Sequence, residues 1–370
     1  MRRLLISLLV LCLPVAATAS TACTWPAWER FKTDLLSDDG RVLDRSDARL
    51  ISTSEGQSYA LFFALVGNDR ATFAKVLHWT ADNLADGDLA GHLPAWLWGR
   101  DPAGKWQVLD RNNASDADLW IAYSLLEAGR LWQEPAYAEL GQRLLWRIAA
   151  QTVRKLPGLG LMLLPGDYGF DDQHGWRLNP SYLPPQLFDR FALVDPVWEE
   201  MARNVRQLWL QASPNGLAPD WLLWTPAAGI APDPQHATRG SYDAIRVYLW
   251  LGMLAEGSAR RDALLRHFAP MLALTLREGM PPESLDTATG KASGQGPVGF
   301  SAALLPLLAT TVDTRAALNA QRARLRAQPA EPQAYYNSVL AMYGQGWGEG
   351  RYRFDKNGRM QPAWSAPCSE

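Results

Sequence analysis

Ser115-Asp116-Ala117-Asp118-Leu119-Trp120-Ile121-Ala122-Tyr123 sets a small polar residue and carboxylates at the mouth of an apolar run. The same grammar occurs twice more. Ser54-Glu55-Gly56 opens Tyr59-Ala60-Leu61-Phe62-Phe63-Ala64-Leu65, and Ser241-Tyr242-Asp243 opens Ala244-Ile245-Arg246-Val247-Tyr248-Leu249. Each serine is expected to cap a helix, accepting a backbone N–H from the first turn. If the three helices lie side by side, their N-terminal ends converge and several carboxylates share one cleft. Paired carboxylates in a cleft are the equipment for breaking a glycosidic bond.

Helical periodicity dominates outward from these segments. It predicts helices at Pro26–Leu36, Gly56–Val66, Arg70–Leu84, Asp116–Trp132, Pro135–Val153, Pro196–Gln211, Asp243–Leu254, Arg261–Leu276, Gly299–Ala309, Thr314–Ala327 and Ala334–Tyr343, with a shorter one at Pro185–Phe191. Few stretches read as strands. Short connections such as Gly67-Asn68-Asp69 alternate with long ones rich in Gly, Pro and Trp: Asp86–Asn113, Lys155–Pro185, Ser213–Gly240 and Glu278–Val298. Long structured loops are usually functional. Roughly twelve helices in alternating pairs predict an all-α (α/α)6 barrel, its long loops forming a groove at one end.

The chain starts with basic Met1-Arg2-Arg3, an apolar run from Leu4 to Val15, and Ala17-Thr18-Ala19. This reads as a secretory leader over residues 1–19, with cleavage up to residue 22, followed by one catalytic domain over 20–370. A periplasmic or secreted protein without a membrane anchor in its mature form is expected. Ser20 before Cys23 is a poor lipidation signal. Cys23 and Cys368 stand at the two ends, either bridged in an oxidising compartment or both free. A net charge of −2 and the absence of a basic stripe argue against nucleic acid. Five His, none in a metal-ligand spacing, make a metal unexpected, and no nucleotide-binding loop appears, so no cofactor is expected.

Among the carboxylates, Glu55 is the candidate general acid and Asp243 the candidate general base, with Arg246 three residues on and able to reach the same face. Asp116 and Asp118 cannot both face one way on a helix, so one grips sugar hydroxyls and the other braces backbone. Seventeen Trp fill cores but can also stack on sugar rings. Trp98 and Tyr182, then Trp96, Tyr242 and Trp106, are the aromatic candidates for the groove.

The stretch from Ala114 to Trp132 resembles the signature of glycoside hydrolase family 8, and Ser-Glu-Gly-Gln-Ser-Tyr at 54–59 and Ser-Tyr-Asp-Ala-Ile-Arg at 241–246 fit the same family. So do Ala22–Trp28, Leu93–Gly99, Asn179–Pro185, Gly296–Ala303 and Tyr352–Gly358. The resemblance implies an (α/α)6 barrel that cleaves β-1,4-glucan internally with inversion. It carries the proton donor onto Glu55, the base onto Asp243, and onto Asp116 an aspartate that binds and distorts the sugar at the scission point. It also implies a place in bacterial cellulose production beside a cellulose synthase complex. Other β-1,4-glycans such as xylan or chitosan stay open, because carboxylate geometry does not choose the sugar. A polysaccharide lyase would want a basic cleft, and a non-catalytic glucan-binding accessory would not need the carboxylates.

Overall fold

The computed structural model describes residues 24–365, so the expected leader, Cys23 and Cys368 lie outside the described residues. The helices are α1 (Pro26–Leu35), α2 (Ser54–Val66), α3 (Arg70–Leu84), α4 (Ser115–Leu131), α5 (Pro135–Thr152), α6 (Pro185–Phe191), α7 (Pro196–Ala212), α8 (Ile245–Gly252), α9 (Arg261–His267), α10 (Ala269–Glu278), α11 (Val298–Leu308), α12 (Arg315–Ala327) and α13 (Tyr335–Gly348).

Two expectations about helices need correction. The helix expected over 261–276 is two, broken at Phe268, because Pro270 opens α10 and cannot donate into a preceding turn. The helix expected from Asp243 begins only at Ile245. A third correction concerns the loops, which carry more strand than the sequence led us to expect. They fold into five small antiparallel sheets. Their strands are two to five residues long, too short to show a period-2 pattern.

The helices sort by burial. In α2, α4, α8 and α11 almost every residue is buried, so these helices are apolar on all sides. The outer helices are one-sided: α7 buries Trp198, Met201, Ala202, Val205, Leu208, Trp209 and Ala212, at three- and four-residue spacing. The buried set touches in succession, α2 on α4, α4 on α6, α6 on α8, α8 on α11 and α11 on α13. Tyr343 of α13 returns the sequence to α2, its ring 5.3 Å from Phe62 and 4.9 Å from Phe63. Behind this set, α3 backs α2, α5 backs α4, α7 backs α6, α9 backs α8, α12 backs α11 and α1 backs α13.

Close packing in this core needs small residues at crossing points. A Cβ on Gly344 would fall 1.8 Å from the carbonyl oxygen of Ala302, so only glycine lets α13 lie this close to α11. Much of the tryptophan is structural, since Trp28, Trp120, Trp198, Trp209 and Trp250 are completely buried. At the C-terminal end of α4, the hairpin of Tyr352–Phe354 and Met360–Pro362 is tied in place by Glu127. That buried carboxylate accepts from Arg190 Nε at 2.6 Å and from the Met360 N–H at 2.8 Å, and it also pairs with Arg130.

Candidate active site

The N-terminal ends of α2, α4, α8 and α13, with the turn before α6, meet at one place. Strand Ser52–Thr53 pairs with Leu97 and Trp98, which holds Thr53 extended as α2 begins. Thr53, and not Ser54, is the cap: its hydroxyl accepts the Gly56 N–H at 3.0 Å. Glu55 is thereby aimed out of the first turn. Ser115 does not cap α4 either; Asp116 itself accepts the Ala117 N–H at 2.8 Å. Nor does Ser241 cap α8, because its hydroxyl donates to the Glu283 carbonyl. The start of α8 is held from a distance by Asp220, whose Oδ1 accepts from Ser241 at 2.7 Å, Asp243 at 3.2 Å and Ala244 at 2.9 Å. The Arg246 and Val247 N–H groups bond only three residues back, to Asp243 and Ala244, so the chain before Ile245 is a tighter turn than an α-helix.

Arg246 organises the site. Its side chain is only 4% exposed. One terminal nitrogen, Nη1, pairs with Glu55 Oε2 and lies 3.5 Å from Asp116 Oδ2. The other, Nη2, donates to Asp243 Oδ1 at 2.7 Å and to Ser181 Oγ at 3.2 Å. Nη1 also reaches the Tyr59 hydroxyl at 3.3 Å. The planar fork thus holds Glu55 and Asp243 apart, one on each arm.

Depth separates the three carboxylates. Side-chain exposure is 20% for Glu55 and 28% for Asp243, but 3% for Asp116. Burial, with the negative charge of Glu55 added, pushes the Asp116 carboxyl up to about 8, against the pull of Arg246. Asp116 therefore holds its proton at neutral pH and can donate a hydrogen bond as well as accept one. A cavity of about 170 Å³ opens above it, lined among others by Glu55, Asp116, Trp96, Tyr182 and Tyr335.

The other residues predicted for the groove divide. Trp96 and Tyr182 line the cavity, and the Arg246 guanidinium lies 5.6 Å from the Tyr182 ring centre. Trp98 is not on that lining. Its ring stacks on Trp106 at 5.0 Å, meets Trp79 edge-on at 5.4 Å and carries the Arg41 guanidinium at 4.3 Å. Tyr242 is half exposed, its hydroxyl 3.0 Å from Glu283 Oε1. Asp118 is fully buried and takes the Asn113 amide at 2.6 Å, so it braces the loop before α4.

Five residues at the site were not singled out from the sequence. Tyr59 stands four positions after Glu55, and helical spacing alone was a usable signal for it. Tyr335 donates toward Glu55 Oε1 at 3.4 Å, and Ser181 takes Arg246. Asp220 and Trp221 reach Asp243 from within a long loop, the indole Nε1 donating to Asp243 Oδ2 at 3.0 Å. Nothing local in the sequence marks that pair.

One guanidinium thus carries two cleft-facing carboxylates on separate arms above a buried one whose carboxyl is pushed up to about 8. This is a layout for delivering a proton from one side and taking one up on the other. The glycosyl hydrolases family 8 profile matches residues 1–350. An endoglucanase of Salmonella typhi is 50% identical over 353 residues, covering 95% of both chains. An endoglucanase of Xanthomonas axonopodis pv. citri is 50% identical over 363 residues, covering 96% of this chain and 94% of that one. The crystal structure of an endo-1,4-D-glucanase from Vibrio fischeri superimposes with a TM-score of 0.87 at 45% identity, over 92% of this chain and 100% of that one.

Proposed function

The chain belongs to glycosyl hydrolase family 8, and from that premise we propose how its carboxylates share the work of an inverting endoglucanase. The substrate is a β-1,4-glucan cut within the chain. Glu55 gives its proton to the glycosidic oxygen as the C1–O bond breaks. A water attacks C1 from the opposite face, and Asp243 takes the proton that water gives up. The new reducing end has the α configuration, and proton exchange with solvent resets both groups. Asp116, beneath the ring, donates to and accepts from sugar hydroxyls and holds the distorted ring at the scission point.

One observation carries this assignment: the Arg246 fork holds Glu55 and Asp243 on different arms. The architecture we propose is an (α/α)6 barrel, supported by the succession of buried helices and their outer partners. A single catalytic domain over 20–370 is supported by one apolar core running from Trp25 to Met360. Export to the periplasm and service beside a cellulose synthase rest on the leader and on the family resemblance. Among the described residues no helix is long and apolar enough to cross a membrane.

The test is reducing-end release and viscosity loss on carboxymethyl cellulose, beside xylan and chitosan, for the parent, Glu55→Gln and Asp243→Asn. Each substitution should cost about 10²–10⁴-fold in kcat. Glucan activity surviving both would sink the assignment. NMR of the first product should show the α anomer, and an initial β anomer would contradict inversion.

A further inference from the structure

Asp220 and Trp221 are neighbours in the chain and both close on Asp243, one on its backbone and the other on its carboxylate. Asp220 is 1% exposed, and its Oδ1 gathers the N–H groups of Ser241, Asp243 and Ala244. Its other oxygen takes Arg239 Nε at 3.1 Å, and its own N–H donates to the Arg239 carbonyl at 2.7 Å. The turn that carries Asp243 is thus fixed before α8 starts. Trp221 Nε1 then donates to Asp243 Oδ2 at 3.0 Å, while Arg246 holds Oδ1 at 2.7 Å. With one donor on each oxygen, the carboxylate cannot spin about its Cβ–Cγ bond.

The indole is itself held from several sides. Phe170 lies parallel to it at 6.0 Å, and Tyr182 meets it at 5.9 Å with a 60° tilt. The Arg177 guanidinium sits 4.4 Å from its ring centre. Arg177 is anchored in turn by Asp233, with Nε 2.6 Å from Oδ2. Arg177 belongs to strand Gly175–Leu178, which pairs with Leu222–Thr225, the strand directly after Trp221. The small sheet in the long loops therefore fixes the ring that fixes the carboxylate.

We propose that Asp220 and Trp221 form a positioning clamp for the general base, setting the direction in which Asp243 accepts a proton from the attacking water. The proposal rests on the reading of Asp243 as that base. Neither clamp residue exchanges a proton with substrate. An indole N–H is a donor only, so it steadies the charged carboxylate without competing for the water's proton. Misaiming a catalytic group by a fraction of an ångström is costly, which gives a rigid clamp its value.

The decisive variant is Trp221→Phe, which keeps a flat ring for Phe170 and Arg177 and removes the N–H together with the smaller ring of the indole. Loss of one hydrogen bond to a charged group should lower kcat about 10- to 100-fold on soluble β-1,4-glucan, with KM little changed. Asp220→Ala should lower kcat in the same way, and Asp220→Asn, which keeps an acceptor oxygen for the three N–H groups, should restore most of it. A Trp221→Phe enzyme with unchanged kcat, alongside an inactive Asp243→Asn, would overturn the clamp and leave the base assignment standing. A drop in thermal stability with kcat unchanged wherever the variant stays folded would also overturn it, as a merely structural role. Full activity in Asp243→Asn would instead overturn the base reading on which the clamp depends.

Discussion

Arg246 donates to Asp243 at 2.7 Å from only three residues further along, and its other arm pairs with Glu55, 191 positions away in sequence. A local pair and a long-range pair meet on one buried guanidinium. Three carboxylates around a single fixed cation leave an excess of negative charge. Asp116, pushed up to about 8 by burial and by Glu55, relieves part of it by holding a proton at neutral pH. Arg246 lies between the two acids that face the cleft, and Asp116 is the most buried of the three.

Replacing Arg246 should therefore damage both folding and turnover, and two variants separate the effects. Arg246→Met leaves the carboxylates uncompensated and should cost about 3–5 kcal/mol of stability in urea unfolding, as for other broken buried pairs. Arg246→Lys restores a charge, yet one ammonium cannot hold two oxygens on separate arms. It should recover much of the stability while kcat stays depressed by about 10²–10³-fold, the loss typical of removing a preorganised donor. A lysine variant with full kcat would show that charge alone suffices.

Asp116→Asn should abolish most turnover and change how stability depends on pH. The folded-state value, about 8, lies above that of an unfolded aspartate. The native state therefore binds the extra proton between about pH 4 and about pH 8, and the parent loses stability as pH rises through that window. Asparagine carries no such proton. Urea unfolding should find the variant and parent closest near pH 4, with the variant gaining steadily up to about pH 8 and no further change above it. A constant difference across the range would contradict a raised Asp116.

Much of this could be read from the sequence, and the failures share a cause. The three carboxylates were visible because each sits at a helix mouth, where pattern and chemistry coincide. Helix ends were placed closely wherever local signals governed them: Pro135 and Pro196 each stand at a first turn. The three serine caps were misplaced: Thr53 caps α2, no side chain caps α4, and Asp220 gathers the N–H groups before α8 from more than twenty residues away. Trp98 ranked first among groove aromatics because it sits in a long loop. What decides its place is packing on Trp79, Trp106 and Arg41, which periodicity cannot show. Tyr335 was missed for the same reason, since it meets Glu55 across 280 residues of chain.

The two neighbouring tryptophans should consequently behave differently. Trp96 lines the cavity. Trp96→Ala should raise KM for soluble glucan, by about 10-fold if one stacked ring is lost, with little change in melting temperature. Trp98→Ala empties a site packed by two other tryptophans and should instead lower stability by about 3–5 kcal/mol, with KM nearly unchanged. Parallel kinetics and calorimetry on the two variants would decide, and a KM effect confined to Trp98 would reverse the assignment.

Glu127 offers the complementary case, a buried carboxylate remote from the chemistry. It lies eleven residues beyond Asp116 on α4, about 16 Å along the helix. It ties together Arg130 and Arg190 and the Met360 N–H, and so binds α4 and α6 to the C-terminal hairpin. Glu127→Ala leaves the buried Arg190 guanidinium and the Met360 N–H without this carboxylate, and urea unfolding should show a loss of about 3–5 kcal/mol. Glu127→Gln keeps an acceptor oxygen and should lose less. At temperatures where either variant stays folded, kcat should match the parent, because the N-terminal ends of α2, α4 and α8 hold the reacting groups by contacts of their own. A fall in kcat without a fall in stability would mean that the hairpin end of the helices communicates with Arg246.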